Sequence, residues 1–434
     1  MSNRSDNSIA AWIALFLFGV YLLSFSGRLY SQDSMLMVSV AESAAKRGEF
    51  SADQMWTLYK ARGELGPDGE AYSKTGYGAS LFALPLYLLA LAVPGLGLVQ
   101  TTLLSSAGVI ALTGALVFLS ARRLKYPRGV SVAAALLFGL ATPAWVYAKQ
   151  FWSEPFSLCT LFAAFYFLLR YRETFANRDA LMAGLALGLA VATRVTNAAL
   201  VPFFALYGFY FARRDVRARR GLFLFGVTLA LSAASIAWYD WGRYGSALAT
   251  GYRADETFDN PILLGLYGLL FSPGKGLFVF MPFLAALPWS AAAFCRRARH
   301  ESLLILAVSA IYLILFSTWY YWWGGTNWGP RFLVPLIPFL VLSVAPALEI
   351  VAHLDVHKKT WVVFAAIFSA LCILSAAIQL IGITIPSLAW RLRMVRLSPN
   401  PDMDAIFLPP FSPLVGYFNL LTPSALDFAW IRVI

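Results

Sequence analysis

Asp33 is the residue whose position most suggests catalysis. It follows an apolar stretch at 9–26 almost immediately and stands at or just before the start of a predicted helix at 35–50. A carboxylate held by a helix N-terminus, at the boundary between lipid and water, is suited to act as a general base where a lipid-borne phosphate meets a water-borne hydroxyl. Asp is also a common N-cap before an apolar helix. The pattern alone therefore leaves two interpretations, a helix cap and a catalytic base.

Lys74 and Tyr77 lie in a glycine-containing turn, Tyr-Ser-Lys-Thr-Gly-Tyr-Gly at 72–78, before a second apolar segment. An ammonium group at head-group level, beside glycines that allow close backbone approach, suits an anionic phosphate. A lysine near a membrane also extends its amine to the interface without binding a ligand. We predict that Lys74 binds a donor phosphate and that Tyr77 contacts sugar or acceptor, and simple snorkelling is the alternative for Lys74.

Glu154 and Arg194 are isolated charges at the ends of predicted spans. An acid at a helix start usually complements the helix dipole. An arginine at a membrane boundary is costly unless it is paired. We predict that Arg194 binds a phosphate and that Glu154 binds sugar or acceptor. The alternative is that Glu154 or Asp33 pairs with Arg194, which would make the arginine structural.

Lys275 lies between two glycines in Phe-Ser-Pro-Gly-Lys-Gly at 271–276. Exposed backbone donors and an ammonium group form a plausible anion nest, although the spacing is not that of a P-loop and implies no nucleotide. A simple turn before a helix is the alternative. Arg253 lies in the same predicted loop and is a secondary candidate. We therefore predict that Lys275 and Arg253 contribute to a phosphate site.

The segment 319–331, with the sequence WYYWWGGTNWGPR, is dense in aromatic residues. An aromatic belt at a membrane interface explains several of these rings. Aromatic rings beside polar groups also suit a sugar, whose C–H faces pack on indole while its hydroxyls meet hydrogen-bond donors. We predict that Trp322, Asn327 and Arg331 bind sugar or acceptor.

The remaining chemistry-bearing residue types form no recognisable centre. The three histidines lie in or beside predicted inward loops and are not spaced as metal ligands with a carboxylate cluster. No Ser-His-Asp arrangement is visible. The three cysteines lie within or at the ends of apolar spans, so no disulfide framework is expected. We expect no cofactor, and the sequence shows no zinc or haem site.

Composition places these residues in a membrane protein. Of the 434 residues, 59% are hydrophobic and 13% are charged, whereas soluble domains have about 25% charged residues. The net charge of +12 comes from short basic clusters between apolar blocks, such as 122–128, 213–220 and 296–299. This distribution is typical of the positive-inside rule and excludes a nucleic-acid surface.

The hydropathy pattern predicts about eleven transmembrane helices in an all-α polytopic protein. The predicted spans are 9–26, 98–121, 130–147, 155–170, 180–193, 198–212, 221–241, 276–294, 301–318, 332–351 and 360–382. The first is interpreted as an uncleaved anchor with a cytoplasmic N-terminus. The basic clusters all lie on the cytoplasmic side only if the helix at 79–93, which contains Pro85, dips into the outer leaflet without crossing the membrane.

This topology places every long segment on the outer face. We predict one transmembrane domain at 1–382 and an outer-face tail at 383–434. The first outer loop, 27–97, contains the dipping helix and a helix at 35–50 lying on the membrane surface. A second outer loop covers 242–275.

A first outer loop that opens with an acid, continues through surface helices and a lysine-bearing turn, and returns as a dipping helix resembles the GT-C glycosyltransferases. These multispanning enzymes use polyprenyl-phosphate sugars; they include lipid A aminoarabinose transferases, protein O-mannosyltransferases and oligosaccharyltransferase catalytic subunits. The resemblance implies a GT-C fold with outer-face juxtamembrane helices, Asp33 as the base and Lys74 at the lipid phosphate.

Three departures from the family pattern limit what the resemblance implies. Thr75-Gly76 replace the proline pair that follows the lysine in aminoarabinose transferases. Glu154 stands alone where oligosaccharyltransferases have Asp-x-Asp, so a divalent metal is left open but is not supported, because hard cations require several oxygen ligands. Trp322-Trp323-Gly324 lacks the acid of Trp-Trp-Asp-Tyr-Gly, which argues against an N-glycosylation sequon as acceptor.

Two functions from different classes follow. The first is an inverting glycosyltransferase of the inner or plasma membrane, which moves a sugar from a polyprenyl phosphate to a hydroxyl of a glycan, lipid or protein on the outer face. The second is a lipid or solute transporter, or a non-catalytic membrane assembly subunit. A transporter carries ionisable groups near the middle of its spans. Here the charges gather at span ends, which favours the enzyme.

Overall fold

The computed structural model describes residues 2–55, 63–213 and 215–432, and this part of the chain is almost entirely helical. Seven of its helices are long and apolar enough to cross a membrane, namely Ser5–Leu23, Leu98–Arg123, Val195–Ala212, Ala218–Tyr244, Arg299–Thr318, Arg331–Ala352 and Lys359–Thr384. These helices confirm the prediction of an all-α, multi-pass membrane protein.

The first half of the chain contains ten helices and one two-stranded sheet among the described residues. In chain order they are α1 (Ser2–Leu23), α2 (Gln32–Lys46), β1 (Gly63–Leu65), β2 (Ala71–Ser73), α3 (Gly78–Ala92), α4 (Leu98–Arg123), α5 (Arg128–Leu140), α6 (Ala144–Ala148), α7 (Ser153–Thr174), α8 (Asn177–Thr193), α9 (Val201–Ala212) and α10 (Val216–Tyr244). A 3₁₀ helix at Val195–Leu200 leads into α9.

The second half has ten further helices among the described residues. They are α11 (Ile262–Phe271), α12 (Leu277–Phe280), α13 (Leu287–Arg297), α14 (Arg299–Thr318), α15 (Ile337–Ser343), α16 (Ala345–Ala352), α17 (Lys359–Thr384), α18 (Ser387–Leu397), α19 (Pro401–Phe407) and α20 (Pro413–Leu420). Short 3₁₀ helices lie at Pro282–Ala286, Arg331–Leu336, Pro409–Phe411, Pro423–Ala425 and Ala429–Arg432.

Prolines interrupt two of the predicted spans. The span predicted at 130–147 is divided into α5 and α6, with Pro143 in the break. The span predicted at 276–294 becomes α12, a 3₁₀ helix that starts at Pro282, and α13. Proline lacks an N–H donor and clashes with the preceding turn, so a continuous helix cannot pass through it without distortion.

The apolar helix at 79–93 is present as α3, which has 15 residues and contains Pro85. Its dipping into one leaflet stays a prediction, as does the total of about eleven crossings. One apolar helix, α11, occurs inside the segment 242–275 that was predicted as a loop. At ten residues it is too short for a hydropathy window of membrane-spanning length to detect.

Two compact units divide the chain. The first contains 1–26, 110–148 and 256–434, and the second contains 27–109 and 149–255. The predicted division at residue 382 stays a prediction. Within the first unit the C-terminal segment bonds back to earlier elements: Gly274 N–H donates to the Ile406 carbonyl at 3.0 Å, and Trp430 Nε1 donates to the Leu23 carbonyl at 2.8 Å.

Small residues allow close helix packing inside each unit. In the second unit, α8 packs tightly on α10, since a Cβ on Gly184 or Gly188 would overlap the side chains of Thr228 and Ser232. Glycine at such positions lets membrane helices approach with their backbones close together. The result is a rigid pair of helices whose ends carry polar side chains.

The helix predicted to lie on the membrane surface is more deeply buried than expected. α2 packs along α3, and Ser80 Oγ donates to the Met37 carbonyl at 2.7 Å. Leu36 and Val40 join a buried cluster with Ala52 and Met55. More than half of the residues of α2 are therefore buried by protein, and its position on the membrane surface stays a prediction.

Candidate active site

A β-hairpin in the second unit carries Lys74 at its end. β1 and β2 pair antiparallel, with Gly63 opposite Ser73. The turn between them contains Gly66-Pro67-Asp68-Gly69, and Gly69 has a φ of +83°. Proline followed by Asp-Gly is a strong turn signal because proline fixes φ and glycine accepts positive φ. The hairpin was not predicted, although this turn could have indicated it.

Arg243 anchors the hairpin at the end of α10. Its Nη1 donates to the Ser73 carbonyl, and its Nη2 pairs with Asp240 one turn earlier on the same helix. The guanidinium carbon lies 4.0 Å from the ring centre of Tyr239 and 4.6 Å from that of Tyr244. Stacking and charge pairing of this kind stabilise a guanidinium that water does not reach. Arg243 is 2% exposed, and sequence analysis assigned it no role.

The turn that follows Lys74 rests on the end of α8. A Cβ on Gly76 would overlap the Ala192 carbonyl, and a Cβ on Gly78 would overlap Thr193. The two glycines therefore allow close contact with α8, which is a different role from the predicted approach to a phosphate. Only glycine fits such a contact without displacing a backbone.

Lys74 lies directly between these two anchored segments. Its Nζ is 5.4 Å from the ring centre of Tyr252, and its side chain is half-buried. Three residues later, the Tyr77 hydroxyl bonds Ser235 Oγ at 2.6 Å, and its ring packs edge-on against Tyr239 at 5.0 Å. The predicted residues Lys74 and Tyr77 are thus on one turn, which contacts α8 and α10.

Glu154 and Arg194 form an ion pair at the other side of this turn. Arg194 Nη1 donates to Glu154 Oε1 at 2.5 Å, and Ser153 Oγ is 3.4 Å from the second carboxylate oxygen. The Glu154 side chain is fully buried and that of Arg194 is 11% exposed. Arg194 directly follows the residues that Gly76 and Gly78 contact. The pairing agrees with the structural alternative for Arg194.

Asp33 is in the first turn of α2 and is not its N-cap. Ser31 has extended backbone angles and its hydroxyl accepts from Ser34 N–H at 3.1 Å, which is the geometry of an N-cap. Asp33 is partly exposed. The capping interpretation of Asp33 is therefore wrong. A carboxylate in the first turn is still favoured by the helix dipole.

Asp33 also lies close to the start of α3. Met37, whose carbonyl accepts from Ser80, is one turn further along α2, a rise of about 6 Å. Ser80 comes just after the Lys74–Gly78 turn. Asp33 is thus one helical turn from the contact of α2 with the start of α3, the helix that directly follows the lysine turn.

Lys275 is in the first unit, where it holds a glycine-rich turn. Its Nζ donates to the carbonyls of Gly325 and Asn327 at 2.7 and 2.6 Å. The side chain of Asn327 closes the same turn by donating to the Gly324 carbonyl at 2.5 Å. Burial, with a smaller effect of the nearby Arg331 charge, lowers the pKa of Lys275 to about 7. Lys275 therefore anchors the segment that was predicted to hold a sugar.

The other predicted residues of that segment differ in exposure. Trp322 is 1% exposed, and its ring packs on Gly268 of α11 and lies 6.1 Å from Phe407. Arg331 is half-buried, and its Nη1 lies 3.4 Å from the Gly324 carbonyl. Trp322 thus contributes to the packing of the first unit, whereas Arg331 presents a partly accessible cation.

The last of the predicted residues is Arg253. It is exposed and pairs with the exposed Asp255 at 3.2 Å. An exposed pair of this kind contributes little to stability. Arg253 is in the segment between α10 and α11, one residue after Tyr252.

The described residues contain no group of three or more His, Cys, Asp or Glu side chains that could hold a metal ion. Glu154, the single acid that the resemblance placed near a metal, is instead paired with Arg194. A carboxylate that is neutralised by an arginine is a poor ligand for a hard cation.

Comparisons with known proteins identify the fold. A family model described as dolichyl-phosphate-mannose-protein mannosyltransferase matches residues 86–239. The apo structure of ArnT from Cupriavidus metallidurans superposes with a TM-score of 0.54 at 16% identity, covering 99% of this chain and 77% of ArnT. The chain has the GT-C fold. The predicted likeness in fold to the GT-C glycosyltransferases is thereby confirmed.

Two structures of an archaeal oligosaccharyltransferase also resemble this chain in fold. The apo oligosaccharyltransferase of Archaeoglobus fulgidus has a TM-score of 0.52 at 12% identity, and it covers 95% of this chain. The chain spans 61% of that longer protein. AglB from the same organism, in complex with an inhibitory peptide and a dolichol-phosphate, has a TM-score of 0.51 at 11% identity and covers 94% of this chain and 60% of AglB. No curated protein sequence matches the chain.

Proposed function

We propose that this protein is an inverting glycosyltransferase, which moves a sugar from a polyprenyl-phosphate donor to an acceptor hydroxyl. The observation that carries the proposal is the arrangement of the second unit. There Asp33 is one helical turn before Met37, whose carbonyl accepts from Ser80 in the first turn of α3, and Lys74 is in the turn that directly precedes α3. The GT-C fold and the mannosyltransferase family match support a glycosyltransferase of this type.

Asp33 acts as the general base in this proposal. The acceptor O–H attacks the anomeric carbon on the face opposite the lipid phosphate, and the carboxylate of Asp33 takes the proton. The bond between the anomeric carbon and the phosphate oxygen breaks, and the lipid phosphate leaves with the electron pair. A positioned general base contributes about 10²–10⁴-fold to such a step. Displacement from the opposite face inverts the configuration of the sugar.

Cationic groups stabilise the phosphate as it leaves. Lys74 is the first of these, because its half-buried amine lies on a turn fixed at both ends. Arg194, Arg253 and Lys275 are further candidates. Arg194 pairs with Glu154, and Lys275 bonds two carbonyls. Both residues are therefore proposed to act first by positioning the segments that they contact. Fixed donors directed at developing charge lower the barrier because they need no reorganisation during the reaction.

Glu154, Tyr77, Asn327 and Arg331 are proposed to contact sugar or acceptor, directly or through the turns that they hold. Trp322 is proposed to contribute by packing inside the first unit, against Gly268 and Phe407. The acceptor is proposed to be a hydroxyl of a glycan, a lipid or a protein.

The protein is proposed to lie in the inner or plasma membrane with its N-terminus in the cytoplasm and its active site on the outer face. The supporting observation is the placement of basic clusters in the short segments between helices, as in 122–128 and 296–299.

The direct test is an assay of the purified protein with a panel of polyprenyl-phosphate monosaccharides and mixed acceptors. The proposal predicts release of lipid phosphate from at least one donor, and loss of most of this release in Lys74→Ala. Arg170→Lys serves as a control, because Arg170 pairs with Asp179 in the second unit and is 16 residues from Glu154 along the chain. Transport of an intact lipid-linked sugar without its cleavage would support the transporter alternative instead.

A further inference from the structure

Arg243 connects the end of α10 to the segment that carries Lys74. Its Nη1 donates to the carbonyl of Ser73, the residue directly before Lys74. The backbone of Arg243 also touches the hairpin turn, because a Cβ on Gly66 would overlap the Arg243 carbonyl. Arg243 therefore contacts the hairpin at two places, at its turn through Gly66 and at the end of β2 through Ser73.

The side chain of Arg243 is itself fixed in one conformation. Asp240 pairs with Nη2, and the rings of Tyr239 and Tyr244 lie against the guanidinium at 4.0 and 4.6 Å. The Tyr244 hydroxyl donates to the same Ser73 carbonyl at 3.3 Å. A planar guanidinium fits this site, whereas an ammonium group cannot stack between rings and bond in the same way.

The next segment of chain closes around Lys74 from the other side. Gly251 has a φ of +73°, and a Cβ there would overlap the Tyr244 hydroxyl and approach the Lys74 Cα. Tyr252 then provides the ring that faces the Lys74 amine. Tyr244 is thus shared between the Arg243 site and the contact that holds the Lys74 backbone.

From this geometry we infer that Arg243 is a positioning residue, which fixes Lys74 for the donor phosphate through the Ser73 carbonyl. The inference rests on the proposed function, because it assigns Lys74 to the phosphate. Arg243 is buried and acts on the lysine turn, so it contacts no substrate itself. The binding that Arg243 affects is that of the phosphate group of a lipid.

The test compares Arg243→Lys, the milder Tyr244→Phe, Lys74→Ala and the control Arg170→Lys in the full-length protein. Binding of a polyprenyl phosphate is measured beside that of the matching uncharged polyprenol. Arg243→Lys is expected to weaken binding of the phosphate by about tenfold, as the loss of a hydrogen bond from a charged group does. Binding of the polyprenol is expected to stay unchanged in every variant.

A double variant separates positioning from direct contact. If Arg243 acts through Lys74, Lys74→Ala combined with Arg243→Lys binds the phosphate no more weakly than Lys74→Ala alone. Additive losses would overturn the inference, because Arg243 would then act independently of Lys74. Equal losses for phosphate and polyprenol would also overturn it, since they would indicate general distortion.

Hydrogen–deuterium exchange provides a readout that does not depend on the function. Arg243→Lys should speed exchange in 71–78, with Tyr244→Phe showing a smaller effect and Arg170→Lys none. Unchanged exchange in Arg243→Lys would overturn the inference. If Lys74→Ala binds the phosphate as wild type does, the proposed phosphate site fails, and the exchange result still decides whether Arg243 fixes the turn.

Discussion

Arg194 donates to the fully buried carboxylate of Glu154 at 2.5 Å, and this pair joins the start of α7 to the end of α8. The residues directly before Arg194 are those on which Gly76 and Gly78 pack. The ion pair therefore stabilises the surface on which the Lys74 turn rests. The ion pair contributes to the stability of the fold because the Glu154 carboxylate is buried, and water cannot solvate a buried charge that loses its partner.

We expect Arg194→Ala to be strongly destabilising, by about 3–5 kcal/mol, because it removes the ion-pair partner of the fully buried Glu154 carboxylate. Thermal unfolding in detergent measures this loss. Arg253→Ala is the matched control, since its partner Asp255 is exposed, and we expect a change of about 1 kcal/mol or less. Equal stability of the two variants would contradict a structural role for the Glu154 pair.

Lys275 should make stability depend on pH in a defined direction. Burial lowers its pKa in the folded protein to about 7, below the value of about 10.4 in an unfolded chain. The unfolded state therefore binds more protons between these values, and stability rises with pH across this window. A neutral amine still has two N–H groups for the carbonyls of Gly325 and Asn327.

The measurement is the unfolding temperature of wild type and Lys275→Met at several pH values between 6.5 and 10. Subtracting the variant removes the contribution of the other titrating groups. We expect the difference to shift in favour of wild type as pH rises from 7. A difference that stays constant or moves the other way would contradict the burial of a titrating amine at this position.

Topology is tested by cysteine labelling in a background without the native cysteines. Gly129 is exposed at the start of α5 and has open space around its Cα, so Gly129→Cys should fold normally. This position is preferable to Lys125, whose φ of +64° is unusual for a residue with a side chain. The proposed orientation predicts labelling of Gly129→Cys only from the inside and of Pro399→Cys only from the outside. Labelling of both from one side would contradict it.

Much of the fold could be predicted from sequence because apolar length determines membrane spans directly. The helices at 98–123 and 359–384 match their predicted bounds within about two residues. α11 was missed because its apolar run is short, and the hairpin was missed because each strand has three residues. Short elements of this kind are specified by contacts with the rest of the unit, which a local pattern does not contain.

Residue types were enough to identify candidate residues in the sequence, but the contacts that each residue makes could not be predicted from it. Charges at span ends drew attention to Glu154 and Arg194, and the alternative that the two residues pair agrees with the structure. Their pairing depends on how α7 and α8 pack, and their roles in binding stay predictions. Asp240 and Arg243 could have been recognised in the sequence, because two opposite charges three residues apart near the end of an apolar helix are costly unless they pair. Burial of Trp322 and Lys275 could not be predicted, because aromatic and basic residues at a membrane interface are usually half-exposed.

The central claim is that Asp33 acts as the base, and sugar transfer by Asp33→Asn tests it most directly. Asn is nearly isosteric and helix-compatible but cannot take the acceptor proton. Ser31→Ala is the matched control, because it removes the cap of α2 while leaving the carboxylate, at a cost of about 0.5–2 kcal/mol in stability.

We predict that Asp33→Asn keeps donor binding and loses about 1 kcal/mol or less in stability, but loses about 10²-fold or more in transfer. Ser31→Ala is predicted to unfold at a lower temperature and still to transfer sugar. Transfer by Asp33→Asn at the wild-type rate would contradict the mechanism.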